Sequence, residues 1–255
     1  MDLSFGSRIV GGNISSSWPW IAQLVNYENK ILCGATLLGD EFLLSAAHCF
    51  GHNEGGTDPT KYTIVLGDNR TGEGTYHDLK SISVHPLYYA GRETVRNDIA
   101  LLRLTKKVKR SSDVNSICLN KLPTPNYKVC VIAGYGSLSE SGPYPAFLRE
   151  AFVPIIPNYI CNDYMHYRGK LDIFSTLCAG YSEGKIDSCK GDSGGPLMCE
   201  VNGFWEIHGI VSYGHGCARR GKPGVYTNLH NMKAWLLFEF WKNDKKLDNF
   251  YSTSK

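Results

Sequence analysis

Nine cysteines, Cys33, Cys49, Cys118, Cys130, Cys161, Cys178, Cys189, Cys199 and Cys217, are spread along a chain of 255 residues instead of gathering into paired CxxC knuckles. Metal knuckles need thiolates in close pairs, whereas thiols scattered at long intervals serve as cross-links, and cross-links persist in oxidising compartments. The pattern predicts a disulfide-bonded, extracellular protein. Two acceptor sequons, Asn13-Ile14-Ser15 and Asn69-Arg70-Thr71, agree with that compartment as candidate glycosylation sites.

With 42% hydrophobic residues, a chain of this length can bury a substantial core, as one large domain or two packed halves. Its 27 Lys and Arg against 24 Asp and Glu leave a formal charge of +3, too small an excess to make nucleic acid or a membrane surface the main partner. No run is long enough to cross a bilayer. The first eight residues have neither the basic start nor the apolar stretch of a signal peptide, so they read as the remnant of a propeptide in a larger precursor.

Short runs rich in Val, Ile, Leu, Tyr and Phe, at 20–25, 63–66, 99–104, 129–133 and 206–212, are broken repeatedly by Gly, Pro, Asn and Asp. Strands without intervening helical periodicity predict an all-β chain of one or two antiparallel barrels. The junction between two halves falls near 105–128. Trp235, Leu236, Phe238 and Trp241 recur at spacings that predict one face of a terminal helix starting around Asn231 and packing on the neighbouring barrel. Residues 243–255 read as a polar, mobile tail.

Three segments carry chemistry: Leu44-Ser45-Ala46-Ala47-His48-Cys49, Asn97-Asp98-Ile99-Ala100-Leu101-Leu102 and Gly191-Asp192-Ser193-Gly194-Gly195-Pro196. Each alone has an ordinary structural explanation, as a His beside a Cys, an Asp before a strand, or a glycine-rich turn. Their coincidence in the order His, Asp, Ser is far more specific. Over residues 9–241 the chain resembles the trypsin and chymotrypsin family of serine peptidases. That resemblance implies two six-stranded antiparallel β-barrels with the active site between them, a C-terminal α-helix, and a peptidase domain over 9–242.

The resemblance also implies the roles. Ser193 is the nucleophile, His48 its general base and Asp98 the partner of His48, with Ser212 adding a hydrogen bond to Asp98. The backbone N–H groups of Gly191 and Ser193 form the oxyanion hole. Asp187 lies at the base of the primary pocket, where a buried carboxylate selects Lys or Arg, and Ser188 and Lys190 border it. Gly214 and Gly224 leave the pocket open, and Ser212-Tyr213-Gly214 pairs with substrate backbone. No cofactor or metal is expected; Asp68 and Glu73 stand in a loop that looks too short for calcium.

Arg8-Ile9-Val10-Gly11-Gly12 is similar to the family's zymogen activation site, where cleavage after Arg8 frees the Ile9 amine to pair with Asp192. The family pattern pairs Cys33 with Cys49, Cys130 with Cys199, Cys161 with Cys178 and Cys189 with Cys217. Cys118 is left over, either bonded to a propeptide or heavy chain or a free buried thiol. The expected partners are protein substrates with Lys or Arg at the cut and protein protease inhibitors, and tethering to a cell surface through preceding domains is a further expectation.

Residues 179–189 are similar to the matching segment of enteropeptidase-like and kallikrein-like proteases. Arg92, Arg96 and Lys190 either favour acidic residues beside the cut, with Glu93 offsetting them in part, or are solvated loop cations. Lys106-Lys107-Val108-Lys109-Arg110 is either an exosite or a solvated connection. A non-catalytic homologue would explain the scaffold but not the survival of every catalytic motif together.

Overall fold

The computed structural model describes residues 12–15, 18–51, 55–92, 94–184 and 186–251. Arg8 and Ile9, the two sides of the expected activation bond, lie outside the described residues, as do Glu93 and Lys185.

The first half contributes β1 (Asn13–Ile14), β2 (Ile21–Asn26), β3 (Ile31–Leu38), β4 (Phe42–Ser45), β5 (Tyr62–Leu66), β6 (Thr75–Val84), β7 (Tyr89–Ala90), β8 (Val95–Arg96) and β9 (Ala100–Leu104). Six of them close into an antiparallel barrel in the order β2-β3-β4-β9-β6-β5, with β5 returning to pair with β2. Leu24, Leu37, Leu44, Ile64, Leu66 and Leu102 fill its interior. The predicted runs at 20–25, 63–66 and 99–104 match β2, β5 and β9 to within a residue at their ends. Of the barrel strands outside those runs, β6 has the weakest apolar signature, since its TYHDLKSISV buries only Leu79 fully.

The second half contributes β10 (Cys118–Leu119), β11 (Val129–Gly134), β12 (Arg149–Ile156), β13 (Thr176–Ala179), β14 (Pro196–Val201), β15 (Phe204–Tyr213) and β16 (Gly224–Asn228). The order β12-β11-β14-β15-β16-β13 closes on itself through β13 and β12, where Ile155 meets Ala179 and Ile156 meets Cys178. In β12 the side chains alternate, with Ala151, Val153 and Ile155 turned to the core and Phe152 to solvent, as the two-residue period of a strand requires. Both expected barrels are therefore present. Within the stretch between β9 and β11, β10 adds in parallel to β15 at Glu206 and Ile207.

The four expected disulfides are formed, Cys33–Cys49, Cys130–Cys199, Cys161–Cys178 and Cys189–Cys217. Cys118 is half-buried and unpaired among the described residues.

A short helix, α1 (Asn158–Cys161), follows β12, and the chain turns into α2 (Lys233–Lys242) after β16. The expected terminal helix exists, but its buried face is Trp235, Leu236, Glu239 and Phe240. Phe238 and Trp241 are mostly exposed and stack on each other at 6.2 Å, because Phe240 takes the core position against Phe42 at 5.3 Å. The tail is tied down rather than loose up to Tyr251. Leu247 and Phe250 are buried, Phe250 stacks on Phe240 at 4.1 Å, and Lys245 pairs with buried Glu41 at 2.8 Å. Two apolar residues and one ion pair thus tie down an otherwise polar stretch.

Candidate active site

His48 sits in the single 3-10 turn Ala47–Phe50 that follows β4, and the next residue, Cys49, is cross-linked to Cys33 of β3. The turn is thereby stapled to the barrel wall. Asp98 lies just before β9 and is 2% exposed. Its Oδ1 accepts from the His48 backbone N–H at 2.9 Å, and its Oδ2 meets His48 Nδ1 at 2.8 Å.

Both contacts with Asp98 from the second barrel come from hydroxyls. Ser212 Oγ, in β15, donates to Oδ2 at 2.5 Å, and Thr227 Oγ1, in β16, donates to the Asp98 carbonyl at 2.7 Å. Burial pushes the Asp98 carboxyl up, but the charge of His48 and the donors around it outweigh that and hold it below its ordinary value. Burial also works to lower the His48 pKa, and the Asp98 charge overcomes it, leaving the imidazole raised above 6.5. The sulfurs of Cys33 and Cys49 lie close to the His48 ring, but they are joined in a disulfide and are not free thiolates for a metal ion.

Ser193 belongs to a loop held at several points. Gly34 N–H donates to the Ser193 carbonyl at 2.7 Å, Gly194 N–H to the Val211 carbonyl at 2.8 Å, and Gly195 N–H to the Asp192 carbonyl at 2.9 Å. Among the described residues, Ser193 Oγ and the N–H groups of Gly191 and Ser193 have no hydrogen-bond partner. Gly191 has φ of +94°, a region closed to most side chains, and the Tyr144 ring lies over it, 2.8 Å from where a β-carbon would stand. The loop thus presents a hydroxyl and two unused donors.

Beside Ser193 opens a cavity of about 350 Å³ whose lining includes Asp187, Ser188, Lys190, Ser212, Tyr213 and Gly214. Asp187 is 3% exposed and accepts from the N–H groups of Ser188 at 2.9 Å and Ala218 at 3.1 Å. It has no cationic partner among the described residues, and burial pushes its carboxyl up to about 7. Gly224 stands behind it, where a β-carbon would come 2.7 Å from Asp187 Oδ1. Any larger residue there would cover the acid.

Asp192 is a third buried carboxylate. It accepts from Gly136 N–H at 2.8 Å and Cys189 N–H at 2.9 Å, and burial raises it to about 6.

The remaining expected site residues fall elsewhere. Arg96, in β8, lies 4.0 Å from Asp172 on the same surface, so its charge is partly answered, and Arg92 is exposed. Lys107 bonds to Asp40 at 2.9 Å, and the basic run 106–110 is pinned to the β3–β4 turn by that contact and by the Val108 N–H bond to the Asp40 carbonyl at 2.8 Å. Asp68 is engaged by Arg70 at 3.0 Å. Asn13 is exposed and Asn69 half-exposed.

Thr227, Gly34, Glu140 and Arg219 touch this site without having been singled out from the sequence. A threonine in a strand or a glutamate in a turn carries no local signal of such a contact.

The Trypsin family profile matches residues 9–236.

Proposed function

The chain belongs to the trypsin family of serine peptidases, and from that premise we propose that it is an endopeptidase cutting after Lys or Arg and made as a latent precursor. The observation that carries the specificity is buried Asp187, uncompensated by any cation among the described residues, at the wall of the cavity beside Ser193. A carboxylate taken out of water without a counter-ion is unfavourable, and an entering ammonium or guanidinium relieves it.

In the reaction, Ser193 Oγ attacks the scissile carbonyl while His48 takes its proton, and the imidazolium is stabilised by Asp98. The unused N–H groups of Gly191 and Ser193 receive the negative charge of the tetrahedral intermediate. His48 then protonates the leaving amine, and water repeats the sequence on the acyl-enzyme. Tyr213 and Gly214 present backbone to the substrate.

Latency rests on Asp192. Cleavage after Arg8 frees the Ile9 amine, a cation suited to a carboxylate that among the described residues is held by two N–H groups. Four disulfides and two sequons fit an extracellular compartment, with Asn13 and Asn69 glycosylated. Cys118 is the point at which a propeptide or heavy chain stays attached after activation and through which the enzyme is tethered. The peptidase domain spans 9–242, its barrels divided near 105–128.

The test is to compare the chain before and after cleavage at Arg8. The cleaved form is expected to bind a fluorophosphonate stoichiometrically, to cut a peptide library after Lys and Arg, and to be inhibited by benzamidine. Equal turnover by a chain blocked at Arg8 would sink the latency proposal, and cleavage indifferent to Lys or Arg would sink the specificity.

A further inference from the structure

Two loops meet over the mouth of the Asp187 cavity. One, between β11 and β12, carries Glu140; the other, between β15 and β16, carries Arg219. Glu140 Oε1 accepts from Arg219 Nε at 2.6 Å and Oε2 from Nη2 at 2.7 Å, a two-point carboxylate–guanidinium match. Oε1 also accepts from the backbone N–H of Cys217 at 3.0 Å. The pair lies directly over Gly216, where a β-carbon would be 2.0 Å from Glu140 Oε1 and 2.3 Å from Arg219 Nε. Only glycine leaves room for it.

The residue between these anchor points is Ala218. Its N–H is one of the two donors to Asp187, at 3.1 Å, and its φ of +53° is a conformation that alanine rarely adopts unless the surroundings impose it. Glu140 therefore grips the turn on both sides of Ala218, through Cys217 N–H and the Arg219 side chain, while the Cys189–Cys217 disulfide ties it from beneath. Exposed ion pairs ordinarily contribute little, but two-point arginine geometry combined with a backbone donor is the arrangement in which they do.

We propose that Glu140 and Arg219 form a latch that holds the 217–219 turn so that Ala218 N–H meets Asp187, and that this latch sets the affinity of the primary pocket for a cationic side chain. Both are positioning residues, distant from the bond that breaks. The inference rests on the reading of Asp187 as the specificity acid. The latch stays closed across the working pH range, since hydrogen bonds from the Arg219 side chain and Cys217 N–H hold the Glu140 carboxyl down to about 2.

A simple charge effect makes the opposite prediction for one variant. If the pair acted only through its field, Arg219→Ala would uncover a second carboxylate near the mouth and tighten cation binding, while Glu140→Ala would weaken it. A latch gives the same sign for both.

The test uses the cleaved enzyme and its Arg219→Ala, Glu140→Ala, double-alanine and charge-swapped Glu140→Arg/Arg219→Glu forms, with concentrations normalised by fluorophosphonate titration. Each single variant is expected to raise KM for a Lys or Arg substrate and the benzamidine inhibition constant by about 3- to 5-fold with kcat unchanged. The double variant should be no worse than the poorer single, and the swap should recover part of the loss. Unchanged constants, opposite signs for the two singles, or a loss confined to kcat would each overturn the latch. Failure of the parent enzyme to bind benzamidine would instead overturn the Asp187 reading on which the latch depends.

Discussion

Ser212 donates its hydroxyl to Asp98 Oδ2, the same carboxylate oxygen that meets His48 Nδ1, so a strand of the second barrel fixes an acid carried by the first. Thr227 does the same for the Asp98 backbone. The geometry of His48 therefore depends on how the two barrels are seated.

This dependence predicts a graded series. Ser193→Ala should abolish turnover, and Asp98→Asn should lower kcat by about 10,000-fold, because the amide favours the wrong imidazole tautomer. Ser212→Ala removes one of several donors to Asp98 and should lower kcat by no more than about tenfold. Steady-state kinetics on a Lys or Arg ester would check the order, and a loss in Ser212→Ala as large as that in Asp98→Asn would contradict it.

The raised His48 pKa gives a pH prediction. Only the neutral imidazole can accept the Ser193 proton, so kcat/KM should fall as pH drops through the raised value, with its acid limb above 6.5. The stability linkage has the opposite sense. The His48–Asp98 interaction stabilises the fold fully below the ordinary imidazole pKa and is lost as pH rises through the folded value. An activity profile with its acid limb below 6.5 would refute the assignment.

Asp187 titrates in the other direction. Burial lifts it to about 7 from 3.8, while benzamidine requires the ionised form. Affinity should fall as pH drops below about 7, and binding near pH 6 should release a proton, measurable by calorimetry in buffers of different ionisation enthalpy. In the unfolded chain this acid ionises first, so its burial removes stability as pH rises from about 4 to about 7. Asp187→Asn should therefore unfold at higher denaturant than the parent at pH 8, while losing about 100- to 10,000-fold in kcat/KM on Lys and Arg substrates.

The tail should matter for stability rather than chemistry. Phe250 is buried against Phe240 and Phe42, so Phe250→Ala is expected to destabilise the fold by about 3 kcal/mol in urea titrations of the Ser193→Ala background. The corresponding change in an active background should leave kcat/KM nearly unaltered below the melting transition.

Much of the molecule was legible in the chain because its signals are local. Scattered cysteines foretold cross-links, and the apolar runs foretold β2, β5, β9, β11 and β15. The segments around His48, Asp98 and Ser193 each carry a compact motif. The strand β6 and the true buried face of α2 were not legible, since a strand exposed along much of its length and a helix with aromatic residues on both faces blur the periodicity that marks them.

By itself, then, the sequence determined which residue types are available for chemistry and where the strongly apolar strands run, because those depend on neighbours a few positions apart. Only the tertiary structure decided what each polar group answers to. Asp98 and Asp187 are both buried carboxylates in loops, yet one is held low by His48 and the other pushed to about 7 by burial. That difference arises from partners such as His48, 50 residues from Asp98, and Ser212, 114 residues from it, which reach Asp98 only in the folded chain, while Asp187 meets no cation among the described residues. Hydrogen bonding and desolvation are set by distance in space, and no local pattern in the chain encodes them.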